Sequence, residues 1–103
     1  MSLVSLLGWK PIRRLPTLCG FASIRYGESL KISDIAVHSG DGRRWINLPG
    51  KPLINGSAVV MDNRGKPKWV KVIEFLDDDA SEDFACAVIA AVEREHPGGT
   101  SAS

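Results

Sequence analysis

The chain has little that marks a reactive site. Of its 103 residues only two are cysteine, Cys19 and Cys86, and two are histidine, His38 and His96. A small secreted scaffold usually carries more thiols than this, so free cysteines in the cytoplasm are the expectation. No pair of these residues has the spacing of zinc ligands, and neither a metal nor another cofactor is expected. Gly-x-Ser-x-Gly, Cys-x-x-Cys and His-Glu-x-x-His are all missing. Catalysis and a small-molecule substrate are therefore not expected. Gly40-Asp41-Gly42 is too short for a phosphate loop and no Gly-Lys-Thr/Ser follows it. Asp77-Asp78-Asp79 could attract Mg²⁺, but helix-cap acidity accounts for it more simply. No run of eighteen apolar residues occurs, so no membrane-spanning helix is expected. The apolar start Met1–Leu7 lacks the basic leader of a signal peptide.

The length suits one domain with one modest core. The formal net charge is only +1, which by itself gives a polyanionic partner no basis. The distribution says otherwise. Residues 1–75 hold twelve basic and five acidic residues, a surplus of +7, while residues 76–103 hold one basic and seven acidic, −6. Such asymmetry suggests a basic surface with a polyanionic partner, although an acidic helix beside a basic sheet also serves solubility alone.

The order of elements reads β-β-β-(β)-β-α. Residues 1–18, broken by Pro11 and Pro16 around Arg13-Arg14, read as an extended arm or edge segment. Phe21–Tyr26 is a strand, Gly27–Ser29 a turn and Leu30–His38 a second strand. In that second strand Leu30 and Ile32 share one parity, while Ile35 and Val37 share the other. A bulge at Ser33-Asp34 would reconcile them. Ser39–Gly42 is a turn, Arg43–Leu48 a third strand, and 49–57 reads as loop. Ala58–Met61 suggests a short edge strand and Asp62–Gly65 a turn. Lys68–Leu76 reads as the strongest strand, with Trp69, Lys71, Ile73 and Phe75 on one face. A helix follows. Asp79 and Glu82 have the form of a capping box, and Phe84, Val88, Ile89 and Val92 make an apolar stripe. Pro97–Gly99 ends it, and residues 97–103 are expected to be a disordered tail. The expected fold is α+β: a curved antiparallel sheet of four to five strands followed by one C-terminal helix, within a domain spanning residues 19–96.

Basic and aromatic residues are interleaved at three places: Arg25-Tyr26, Arg43-Arg44-Trp45, and Lys66-Pro67-Lys68-Trp69-Val70-Lys71. Lysine and arginine neutralise phosphates and release counterions, and flat rings stack on unpaired bases. Taken alone, Trp45 and Trp69 each read more readily as core residues with the indole N–H at a sheet rim. The cations beside them are harder to bury.

Leu30-x-Ile-Ser-Asp-Ile-x-Val, a glycine-containing turn and Trp45-Ile46-x-Leu48-Pro49 together resemble the core of the stage V sporulation protein G family, over roughly residues 20–95. The resemblance implies a small dimeric β-sheet protein that binds DNA or RNA. The family's basic segment after the proline is replaced here by Gly50-Lys51-Pro52-Leu53. The chain also looks like small bacterial proteins of phage and mobile-element origin. Its element order is similar to single-strand binders of the Whirly and positive-cofactor-four type.

The expected function is non-catalytic binding of single-stranded DNA, or RNA, by a homodimer. Its candidate site is Arg25, Tyr26, Lys31, Arg43, Arg44, Trp45, Lys66, Lys68, Trp69 and Lys71. The alternative is a protein-interaction adaptor using the sheet edge or the helix. Convergence of the cations on one sheet face favours binding; scatter over both sides favours the adaptor.

Overall fold

The computed structural model describes residues 3–12 and 16–100. β1 (Val4–Pro11), β2 (Leu18–Tyr26), β3 (Leu30–Gly40) and β4 (Arg43–Asn47) form one antiparallel sheet in chain order. The segment expected as an extended arm or edge segment supplies the edge strand β1, and its Val4 is buried in the core. Pro11 closes β1 at an edge, where a missing N–H is tolerated. Arg13 and Arg14 lie outside the described residues.

The parity change in β3 is a bulge. Ile32 pairs with Ile24 and Ile35 with Ala22, so Ser33 and Asp34 together face the single residue Ser23. Asp34 has φ 59°, a left-handed conformation that aspartate tolerates better than most residues. The extra residue lets both Ile32 and Ile35 enter the core. β3 and β4 are joined by the two-residue turn Asp41-Gly42, with φ 52° and 74°. Positive φ at both positions is the mark of the type I′ hairpin turn.

α1 (Asp78–Glu95) lies over one face of the sheet. Phe84, Val88, Ala91 and Val92 pack against Val4, Ala22, Ile24, Ile32, Ile35 and Val37. The helix starts earlier than expected. Asp77, not Asp79, is the N-cap, and its Oδ2 accepts from the Ala80 N–H at 3.2 Å. The Ser81 N–H already donates to the Asp77 carbonyl at 3.0 Å, so Asp79 is inside the first turn, where its charge suits the helix dipole. The end of the chain also differs from expectation. Thr100 is fully buried. Its N–H and hydroxyl both donate to the Glu93 carboxylate, which also accepts from the Gly98 N–H at 2.9 Å. Residues 101–103 lie outside the described part.

Between β4 and the helix the chain forms an arm. β5 (Gly50–Pro52) pairs with β8 (Trp69–Lys71), and β6 (Ile54–Asn55) pairs with β7 (Ala58–Val59). Part of the region expected as loop is thus strand. The segment expected to be the strongest strand, 68–76, keeps only three ladder residues. The chain bends at Val72-Ile73. Ile73 and Phe75 then pack on the core, with the Phe75 ring 5.1 Å from Phe84, while Leu76 is fully exposed. Burial against the helix wins over continued alternation.

One glycine marks a close approach in the sheet. A Cβ on Gly20 would collide with the Lys10 carbonyl oxygen and sit 2.9 Å from the Trp9 ring.

Candidate nucleic-acid interface

Cross-strand partners in a sheet share a face, and successive residues alternate between faces. Ala22, Ile24, Ile35 and Val37 are under the helix, so their neighbours point the other way. Three rows of paired residues line that helix-free face: Ser5–Arg25–Lys31, Lys10–Phe21–Ala36–Asn47 and Leu18–His38–Trp45. Arg43, paired with Gly40, extends the face at the turn. Lys10, Arg25, Lys31 and Arg43 are all exposed. The only carboxylate among the strand residues of this face is Asp34, at the bulge. From Lys31 to Arg43 the face spans roughly 25–30 Å at the rise of a strand.

Two of the expected site residues lie elsewhere. Tyr26 faces the helix and packs edge-on against Phe84, with ring centroids 5.6 Å apart. Its parity with Ile24 places it in the core, one residue out of phase with Arg25. Arg44 pairs with buried Ser39, on the helix side. Its Nε donates to the Thr100 carbonyl at 3.3 Å, which ties β4 to the residues after the helix. Adjacent arginines in a strand point to opposite faces, so Arg43 and Arg44 cannot serve one site.

Trp45 is half-buried and lies parallel to His38, with centroids 5.4 Å apart and planes 3° apart. It is neither core nor free rim. The His38 ring bonds on both sides, with Nδ1 3.0 Å from Thr17 Oγ1 and Nε2 3.3 Å from Asn47 Nδ2. The amide nitrogen of Asn47 can only donate, so Nε2 is the acceptor and Nδ1–H donates to Thr17. Burial holds the His38 pKa below its ordinary value, which favours this neutral form. His38 and Asn47 were missed by the sequence reading. The two-residue turn at 41–42 was a sufficient signal, because it forces the pairs 40–43 and 38–45.

Lys66, Lys68, Trp69 and Lys71 belong to the arm. Trp69 is 66% exposed and shares a face with Lys71, whose Nζ is 3.7 Å from Glu74 Oε2. Trp69 and Lys71 border a cleft of about 1200 Å³ that is also lined by Lys10, Phe21 and Asn47 of the helix-free face. Asp34, Glu74 and Asp78 also line it. Lys66 and Lys68 are exposed on the arm but do not line this cleft.

Catalytic groupings are not found among the described residues. His38 has no carboxylate partner, and no three His, Cys, Asp or Glu side chains gather as a metal site. Both cysteines are free thiols, and burial pushes the Cys19 thiol up, away from the reactive thiolate. No helix among them is long and apolar enough to cross a membrane.

The fold and face define a four-stranded antiparallel sheet backed by one helix, with a basic, partly aromatic opposite surface. No protein-family model matches the chain, and no curated protein or solved structure matches it.

Proposed function

We propose that the chain is a non-catalytic, cytoplasmic protein that binds single-stranded DNA or RNA on the helix-free face of its sheet. The observation that supports this is the segregation of charge. Four of the five cations in the four-stranded sheet, Lys10, Arg25, Lys31 and Arg43, share that face with Phe21 and Trp45; Arg44 alone turns to the helix. Scatter over both sides would have favoured the adaptor. Phosphates would lie along the cations, and bases would stack on Trp45 and, across the cleft, on Trp69. A sheet face with side chains standing from it suits a strand with its bases splayed out better than a duplex groove.

Titration of single-stranded oligonucleotide against tryptophan fluorescence tests this reading. Four phosphate contacts predict a slope of log affinity against log salt near −3, at about 0.7 per contact. Absence of binding at about 50 mM salt, or affinity indifferent to salt, would refute it.

We also propose a homodimer. Ile54, Val59 and Met61 are exposed on the arm, which carries five basic residues and one acidic between 50 and 71. The helix start presents Asp77, Asp78, Asp79, Glu82 and Asp83, all exposed. The arm of one copy complements the helix start of another in charge, and fully exposed Leu76 lies beside it. Sedimentation should give a dimer that weakens with salt; a monomer at high concentration and low salt would remove this claim.

A further inference from the structure

The strand-binding face contains one group with more chemistry than phosphate capture or stacking requires. Asn47 is exposed and shares the face with Trp45 two residues earlier. Only one of its amide protons is engaged, by His38 Nε2 at 3.3 Å. A planar amide that donates the proton anti to its oxygen still offers Oδ1 and the syn N–H side by side. That edge is an acceptor next to a donor.

Resting on the single-strand reading, we infer that Asn47, oriented by neutral His38, reads the edge of an unpaired adenine stacked on Trp45. Adenine fits because its N6 amino group is flanked by N7 and N1. Both neighbours are acceptors, so a donor beside an acceptor is available on either edge. Cytosine and thymine each offer a smaller ring to the indole. Guanine matches on one edge only, the Watson–Crick edge where O6 lies beside N1–H; its Hoogsteen edge presents two acceptors, which leaves Oδ1 without a proton, so adenine has two matching edges to guanine's one.

His38 is the positioning residue. Its Thr17 bond fixes the ring through Nδ1, and the Trp45 stack fixes its plane, so Nε2 is aimed at Asn47. When Nε2 takes a proton it becomes a donor, and the Asn47 amide must turn to present Oδ1 to it. The amide then shows only N–H groups to the base, and adenine N6 loses its acceptor. The charged or titratable groups on the neighbouring elements are Cys19 on β2, Arg43 and Arg44 on β4, Asp41 in the turn, and Lys10 across the same face. Burial opposes protonation of the ring.

The test compares oligo(dA), oligo(dC), oligo(dG) and oligo(dT) by tryptophan fluorescence, at about pH 7.5 and about pH 5.5 and constant ionic strength. At the higher pH the wild type should prefer oligo(dA) by about fivefold or more, the scale of a bidentate base contact. Asn47→Ala should bring the affinity for oligo(dA) down to that for oligo(dT). Acidification should erase the preference in the wild type. His38→Gln, whose carbonyl can accept the same proton without titrating, should keep the preference at both pH values. Melting of each variant checks that it folds. Oligonucleotide binding with no adenine preference overturns this inference and leaves the single-strand reading standing. So does a preference that Asn47→Ala retains, or one that survives acidification in the wild type. Failure of every oligonucleotide to bind overturns both.

Discussion

The four-stranded body and the arm are made of similar residues but fold on different terms. Body strands β1, β2 and β3 run for 8, 9 and 11 residues, while no arm strand exceeds three. Both regions contain β-branched runs. In the body, Ile24, Ile35 and Val37 have a helix to bury them; in the arm, Ile54 and Val59 face water. Strand length here follows from having something to pack against more than from propensity.

The comparison breaks most visibly in the core. Ile35→Ala should cost about 2–5 kcal/mol in denaturant unfolding, by lost burial and a cavity, whereas Ile54→Ala should stay within about 0.5 kcal/mol. Equal losses would mean that the arm is part of the core. Glycine positions sharpen the same contrast. Gly20→Ala drives a Cβ into the Lys10 carbonyl and should cost about 1–3 kcal/mol or more. Gly50→Ala meets the Val70 carbonyl at 2.8 Å but should cost less, because the short β5–β8 ladder can shift without disturbing the core.

Asp77→Ala, which removes the helix cap, should lower stability by about 1 kcal/mol. Glu93 gives a pH-dependent effect within the body. Its bonds from Thr100 and Gly98 hold its carboxyl below the ordinary value of 4.5. That stabilisation is fully present above the unfolded-state value and is lost as pH falls through the lowered folded one. Acid melts of wild type and Glu93→Gln should therefore converge as pH drops below about 4.5. The smallest effect on stability is expected at Arg43→Ala, which should nonetheless lower the salt slope of oligonucleotide binding by about 0.7. Arg44→Ala should leave that slope unchanged and loosen the segment around Thr100.

Local signals in the sequence carried much of this fold. The parity clash of Ile32 and Ile35 located the bulge, Ser39–Gly42 located the turn although Ser39 and Gly40 belong to the ladder, and the stripe from Phe84 to Val92 gave the helix and its buried side. Non-local effects were not legible. Nothing local to Lys68–Leu76 says that the helix will draw Ile73 and Phe75 out of the ladder. Three consecutive aspartates each look like a cap, and the first wins because its carbonyl begins the helical hydrogen bonds. Thr100 is apolar neither in type nor in context, yet Glu93 and Arg44 hold it from two different elements. Arg25, Lys31, Arg43 and Trp45, singled out by composition, lie together on the helix-free face. Tyr26 and Arg44 were misplaced because adjacency in sequence was read as adjacency in space, which a strand denies.

The Asp41-Gly42 turn works as the reading frame of this surface. Its length decides that positions 43, 45 and 47 meet solvent and that 44 and 46 meet the helix. One residue inserted there, with β4 kept in pairing, would move Arg43, Trp45 and Asn47 to the helix side and bring Arg44 and Ile46 out. The surface would change its chemistry completely with no side chain substituted. A length change of one at this turn is thus a frameshift at the level of the fold, and it alters the whole face without substituting any side chain on it.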